Sequence, residues 1–168
     1  MRHFDLVVIG SGTGNTIITK QFADWRVALI DGQEWFGGTC LNVGCIPTKM
    51  FAYPADLAES ARRASALGVN TGDVSVDWPA IRDRIFGRID PIAASGEEYR
   101  RSSRNVTLFR ERARFVSAKV LQVGEELISA DQVVLAAGSR PRLPGVPGAD
   151  AADLGELVHT SDSIMRLE

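Results

Sequence analysis

Two cysteines five residues apart, Cys40 and Cys45, are the groups in this 168-residue chain best suited to chemistry. They lie in the run Gly37-Gly38-Thr39-Cys40-Leu41-Asn42-Val43-Gly44-Cys45-Ile46-Pro47-Thr48-Lys49. On an ideal helix, about 1.5 Å of rise and about 100° of rotation per residue would hold their Cα atoms ~8–9 Å apart. That exceeds the roughly 7 Å a disulfide tolerates, so pairing requires a distorted helix. Gly44 supplies backbone freedom, and Pro47 lacks the N–H that would bond the carbonyl of Val43. A disulfide formed under such strain exchanges rather than staples. Lys49, one turn beyond Cys45 on the same face, would favour a thiolate there. A helix beginning near Thr39 would bring its positive end close to Cys40. Two plainer readings compete: inert cysteines, or zinc held by the pair with His3 and His159. Zinc prefers a tighter cysteine spacing and paired histidines, whereas these histidines stand at opposite ends of the chain; no metal site is expected.

A second set of residues suits phosphate. Gly10-Ser11-Gly12-Thr13-Gly14-Asn15 follows an apolar strand at residues 4–9 and precedes a helical stretch to about Ala23. Gly10 permits the tight turn, and Gly12 lets the backbone approach a pyrophosphate at a helix N-terminus. The usual third glycine is replaced by Asn15, with Gly14 beside it to relieve the crowding. A strand at 26–30 ends at Asp31, about 20 residues on, where an acid binds a ribose hydroxyl. Strand, helix, strand and acid in order point to a nucleotide site, though not to FAD over NAD(P).

These residues need a scaffold, and the pattern predicts one. Residues 39–67 read as mostly helical. A loop follows, and Asp77 with Pro79 marks a helix running to about Ser103, with a break near Gly87 or Pro91. Short runs at 106–109, 113–116, 119–123 and 126–129 suggest a small antiparallel meander. The continuous apolar run 132–137 reads as a strand buried on both faces of a parallel sheet, closed by Gly138. Pro141 to Gly148 make a loop, and Thr160-Ser161-Asp162 caps a last helix start. The fold class is α/β.

Composition narrows the partners. Apolar residues make up 45% of the chain, enough for a core, and the formal net charge of −2 offers no general field for nucleic acid or membrane. Arginine clusters such as Arg62-Arg63 and Arg100-Arg101 read as solvated helix faces. No export signal precedes the first strand and no apolar run approaches membrane length, so a reducing cytoplasm is the expected compartment.

The cysteine run resembles the active-site signature of the class I pyridine nucleotide-disulfide oxidoreductases. The first glycine turn, the meander, Ala136-Ala137-Gly138-Ser139-Arg140-Pro141 and Thr160-Ser161-Asp162 extend the likeness along the chain. Within that family, Asn15 in the third slot, Pro47-Thr48-Lys49-Met50-Phe51, residues 86–93 and 95–101, and His159-Thr160-Ser161-Asp162 resemble the mycothione reductases most. The resemblance implies a Rossmann-like FAD-binding domain of glutathione reductase type. It implies a redox-active Cys40–Cys45 disulfide, with Cys45 facing the flavin as charge-transfer thiol and Cys40 as the interchange thiol. Lys49 would neighbour the flavin N5 region. Gly10, Gly12, Asp31, Thr39, Ala113 and Gly138 match positions that hold FAD.

By the same resemblance, full-length members carry an NAD(P)H domain and a dimerisation domain whose histidine–glutamate pair acts across a homodimer. This chain has no second glycine turn after Gly138, and neither His3 nor His159 matches the catalytic histidine. Residues 1–168 are therefore expected to form the N-terminal portion of the FAD-binding domain, inactive by itself. The implied activity is NADPH-driven reduction of a small-molecule disulfide, mycothione, with the NADPH site elsewhere. Lipoamide dehydrogenase, glutathione reductase or mercuric reductase activity, and a non-enzymatic FAD-binding redox fragment, are the alternatives.

Overall fold

The structure is a computed structural model that describes residues 1–147, 149 and 158–168. Gly148, the end of the expected proline-rich loop, lies outside the described residues. The chain divides into two units, Met1–Asn42 with Asp90–Arg140, and Val43–Ile89 with Pro141–Glu168.

The first unit holds a six-stranded sheet. Its strands are β1 (Arg2–Ile9), β2 (Val27–Ile30), β3 (Val106–Phe109), β4 (Ala113–Ser117), β5 (Val120–Val123) and β6 (Glu126–Leu135). They lie in the order β3-β2-β1-β6-β5-β4. The first four in that order are mutually parallel, with Ile9 opposite both Ile30 and Leu135, and Ile30 opposite Phe109. β4, β5 and the start of β6 form an antiparallel meander. The α/β class and the mixed sheet thus agree with the sequence. Val27, Ala28, Leu29 and Ile30 are all buried because β2 is covered on both faces. Ala28 and Ile30 join Phe4, Val7, Phe109, Leu121 and Ile128 in one cluster, while Val27 and Leu29 join Leu6, Val8, Ile18 and Phe36 in another. Phe4 and Val7 share a face despite odd spacing, since the N–H groups of Asp5 and Leu6 both reach the Arg26 carbonyl and shift the alternation.

Several expectations are corrected. The helix predicted to Ala23 is replaced by two 3₁₀ turns, Thr13–Ile17 and Lys20–Phe22. Their N–H groups bond three residues back, Ile18 to the Asn15 carbonyl and Ala23 to the Lys20 carbonyl, instead of continuing an α-helical ladder, and Arg100 donates to the carbonyls of Asn15 and Ile18. The run 106–109 belongs to the parallel sheet rather than the meander, because it pairs with β2. The run 126–129 and residues 132–135 are parts of one strand, β6, which meets β5 at its start and β1 along most of its length. The expected burial on both faces is not found there, since no residue of 132–137 is buried and Leu135 is exposed.

Two helices carry the cysteine run, α1 (Gly38–Asn42) in the first unit and α2 (Cys45–Arg63) in the second. The third helix, α3 (Trp78–Ser102), is divided between the units and runs through Gly87 and Pro91 without the expected break. Its start is capped as predicted, by Asp77 Oδ1 accepting the Ala80 N–H at 3.0 Å. In the second unit Phe51 stacks on Trp78 with centroids 5.0 Å apart, and the Trp78 indole N–H donates to the Leu167 carbonyl. Thr160 Oγ1 accepts the Asp162 N–H, but only a 3₁₀ turn, Ile164–Arg166, follows. No helix among the described residues is long and apolar enough to cross a membrane.

Candidate functional site

The carboxyl ends of the four parallel strands lie side by side. Chain order runs β1, β2, β3 in one direction across the sheet, then returns to place β6 on the other side of β1. The crevice between β1 and β6 is therefore the topological switch point, where open α/β sheets bind ligands. The glycine turn occupies it. Gly10, at φ +112°, donates its N–H to the Ile30 carbonyl, and a Cβ there would lie 2.2 Å from the Ala136 carbonyl oxygen. Neither the φ nor the space admits a side chain. A Cβ on Gly14 would stand 2.2 Å from the Ala136 Cβ. Gly14 thus performs the packing role of the third glycine, and Asn15, half-buried, is freed for another use.

Asp31 closes the turn from β2. It is 5% exposed, and its Oδ2 accepts the Ser11 N–H at 2.8 Å while Oδ1 accepts the Gln33 N–H at 2.7 Å. Arg110 approaches it at 3.7 Å and donates to the carbonyls of Asp31 and Gln33. A carboxylate has about four lone-pair directions, so two remain for a ribose hydroxyl. Ser11 is the hub. Beyond its bond to Asp31, its Oγ accepts the Gly37 N–H at 2.8 Å. The next residue, Gly38, takes φ +73°, and a Cβ there would lie 2.6 Å from the Gly12 Cα. The glycine turn and the entry to the cysteine run are in direct backbone contact.

Within the cysteine run the helix is interrupted at Val43 and Gly44, the latter at φ −139° and ψ −118°. The ideal-helix spacing of the two cysteines therefore does not apply. Cys40 sits on α1 and Cys45 is the first residue of α2, where helix N–H groups lack intrahelical partners. Both are exposed. Pro47 falls in the first turn of α2, where its missing N–H costs nothing. It starts the second helix rather than distorting a longer one. Lys49 lies one turn beyond Cys45 on α2 and is exposed, as is Thr39 on α1.

The remaining candidates are placed as follows. Gly138 lies exposed just beyond β6, two residues after the Ala136 that packs on Gly10 and Gly14. Ala113, half-buried, opens β4, and the preceding Arg112 backbone N would lie 2.8 Å from a Cβ on Gly32, beside Asp31. The first unit thus holds Gly10, Gly12 and Asp31 in one set of contacts, Ala113 at the start of β4, Gly138 beyond the end of β6, and Thr39 and Cys40 on α1; Cys45 and Lys49 belong to the second unit. These residues fit a dinucleotide: the turn is held open by backbone approaches that a Cβ would fill, and the 3₁₀ turn from Thr13 begins with N–H groups lacking internal partners. Among the described residues, the group able to hold a metal ion is His3, Asp5 and Asp131, which contains neither cysteine.

Sequence reasoning missed three residues. Ser11 is buried and bonds on both sides, Asn42 is buried between the cysteines, and Arg100 sends its guanidinium inward. Arg100 donates to the carbonyls of Asn15 at 2.9 Å and Ile18 at 3.2 Å, holding the 3₁₀ turns after the glycine loop. Its burial pushes its pKa below the ordinary arginine value. No charge pattern marks it out, since its neighbour Arg101 is an exposed surface residue paired with Glu97.

The sequence profile described as pyridine nucleotide-disulphide oxidoreductase matches residues 4–168. Mycothione reductase of Mycobacterium tuberculosis is 45% identical over 174 residues, which cover 99% of this chain and 37% of that protein. Dihydrolipoyl dehydrogenase of Chlamydia muridarum is 37% identical over 150 residues, covering 86% of this chain and 32% of that protein. The enzyme of that name from Bacillus subtilis is 29% identical over 180 residues, covering 98% and 37%. The chain spans less than two fifths of the length of each of these relatives.

Proposed function

Because the chain belongs to the pyridine nucleotide-disulphide oxidoreductase family, we propose that it provides the FAD cradle and both redox thiols of an NADPH-dependent disulfide reductase acting on mycothione. The observation that carries this reading is the interruption at Val43–Gly44, which leaves exposed cysteines on two separate short-range elements, Cys40 on α1 and Cys45 at the head of α2. Gly10, Gly12 and Gly138 hold the FAD diphosphate side, Asp31 its ribose, Ala113 the adenine side through backbone, and Thr39 and Lys49 the flavin end. FAD, when bound, supplies the two-electron link between a nicotinamide and a disulfide.

The chain's own part is thiol chemistry. The Cys40 thiolate attacks one sulfur of the substrate disulfide; a Cys40–substrate bond forms, the substrate S–S bond breaks, and one thiolate leaves. The Cys45 thiolate then attacks the Cys40 sulfur, forming the Cys40–Cys45 disulfide and releasing the second thiolate. Each leaving thiolate takes up the proton given up by a cysteine thiol, and a hydride equivalent from NADPH with one proton from solvent returns the pair to dithiol. Lys49 sets positive charge one turn from Cys45. In this reading the NADPH site and the dimerisation domain of a homodimer come from sequence matching the remainder of the relatives, in a cytoplasmic enzyme.

A second reading, dihydrolipoyl dehydrogenase, is favoured by the 37% identity to the Chlamydia muridarum enzyme. Steady-state assay of the full-length protein with NADPH or NADH against mycothione, lipoamide and glutathione disulfide separates the two. The proposal expects mycothione to be preferred by a kcat/KM ratio of at least about a hundredfold, the scale set by one or two specific polar contacts. Comparable values on all three, or preference for lipoamide, would overturn it.

A further inference from the structure

Asn42 stands between the two cysteines and is only 3% exposed. Its Nδ2 donates backwards twice, to the Phe36 carbonyl at 2.9 Å and to the Gly38 carbonyl at 3.1 Å. Its Oδ1 is buried and has no hydrogen-bond partner among the described residues. That asymmetry fixes the amide: turned over, it would set its oxygen against two carbonyl oxygens. Few side chains can do this. A carboxylate has no proton to give, an aliphatic residue of similar size has none either, and a hydroxyl has one.

The two carbonyls matter because of where they lie. Phe36 is a core residue, and Gly37 and Gly38 both take positive φ, so this bend is held by little regular structure. The bend is also the segment that meets the nucleotide turn, through the Gly37 N–H on Ser11 Oγ and the close approach of Gly38 to Gly12. Ser11 continues to Asp31. An unbroken line of contacts therefore runs from Asp31 through Ser11 and the bend to Asn42, and α1 with Cys40 lies inside it. A five-residue helix is too short to hold itself.

We propose that Asn42 is a positioning residue for Cys40: its amide fastens α1 to the bend that closes on the glycine turn, so that the nucleotide cradle and the attacking sulfur hold one geometry. This rests on the reading of Cys40 as the interchange thiol and of the glycine turn as the FAD cradle. It predicts coupling, because a ligand that orders the turn also orders α1.

Amide hydrogen exchange over residues 37–42, with and without added FAD, tests this on the full protein and on Asn42→Ala, Asn42→Ser and Asn42→Asp. In the unsubstituted protein FAD slows exchange there. In Asn42→Ala exchange is about tenfold faster or more, as expected for two lost hydrogen bonds, and bound FAD no longer slows it. Asn42→Ser, whose hydroxyl can return one bond to the carbonyl four residues back, is intermediate. Asn42→Asp exchanges at least as fast as Asn42→Ala at pH 8, its carboxylate set against two carbonyl oxygens, and moves toward the unsubstituted protein at pH 5, because burial against those carbonyls raises the carboxyl pKa and the protonated form donates once. A space-filling role gives no such pH dependence of the ratio. If Asn42→Ala does not fold, the serine and aspartate variants decide. Exchange within twofold of the unsubstituted protein, acceleration spread equally over β1 and α3, or FAD protection that survives the substitution overturns the inference. Flavin fluorescence titration is read in parallel. Failure of the unsubstituted protein to bind FAD sinks the functional reading, while the ratios without FAD still judge the fastening by Asn42.

Discussion

Gly14→Ala places a methyl where the Ala136 Cβ already stands, at 2.2 Å. Neither group can swing away, since both are fixed to backbone, so the glycine turn or the end of β6 must move. Overpacking of this kind costs about 1–3 kcal/mol, or roughly 2–4 °C of melting temperature per kcal/mol for a chain of this size. Ala136→Gly removes the obstructing methyl, leaving the Ala136 Cα at 3.7 Å, ordinary contact distance. By itself it costs about 0.5–1 kcal/mol through lost backbone restriction. The double variant should then be no worse than Ala136→Gly alone, giving a favourable coupling of at least about 1 kcal/mol. Gly10→Ala is the internal control. Its obstacle is the Ala136 carbonyl oxygen and its φ is +112°, so Ala136→Gly cannot rescue it. Thermal and urea unfolding of the six proteins, the parent and the Gly10→Ala/Ala136→Gly double included, measure the cycle and its control. Additive effects, or equal rescue of Gly10→Ala, would refute the assignment of the third-glycine role to Gly14.

Other outcomes follow from the same geometry. Arg100→Ala strips the charged donor from the Ile18 carbonyl and leaves the Asn15 carbonyl only the Ile18 N–H, and should cost about 1.5–3 kcal/mol, the range for hydrogen bonds to a charged donor, with FAD affinity falling in a fluorescence titration. Acidification should weaken the fold in a defined window. Asp5 is held below its ordinary pKa by the Arg26 N–H and then by the Arg26 side chain, and Glu126 by its hydrogen bonds from Arg2. Depressed carboxylates stabilise fully above their unfolded values near about 4 and lose that contribution as pH falls through the lower folded values. Unfolding midpoints should therefore hold between pH 7 and 5, drop below about 4, and drop less in Glu126→Gln; both groups are exposed, so added salt should shrink the difference. Cys40→Ser should abolish disulfide reduction in the assay while leaving flavin binding intact, and turnover retained in that variant would remove Cys40 from the reaction.

Much of the site was legible because it is local. Gly10, Gly12 and Asp31 announce themselves by spacing after strands that alternate or run apolar, and Asp77 with Pro79 marks the start of α3 through capping chemistry that needs no tertiary knowledge. What failed depended on contacts distant in sequence. Nothing near residue 14 says that Arg100, on α3, will take the Asn15 and Ile18 carbonyls and stabilise 3₁₀ turns in place of a helix. Periodicity gives β3 its strand character but not its partner, so pairing with β2 rather than with the meander could not be read. Gly87 and Pro91 signal a break by propensity, and the helix runs through because Ile85, Phe86, Ile89 and Ala93 are buried along it. Asn42 carried no signal, since a buried amide between two cysteines is visible only once Phe36 and Gly38 are seen to offer it carbonyls.

Peptide mapping is the most direct check on the two sulfurs. Oxidised, flavin-loaded full-length protein, blocked with an alkylating agent and cleaved, should give a segment spanning Cys40 and Cys45 that carries no label and is lighter by two hydrogens than the dithiol. After anaerobic treatment with NADPH the same segment should take two labels. Two alkylated cysteines before reduction, or a disulfide that NADPH leaves closed, would contradict the account.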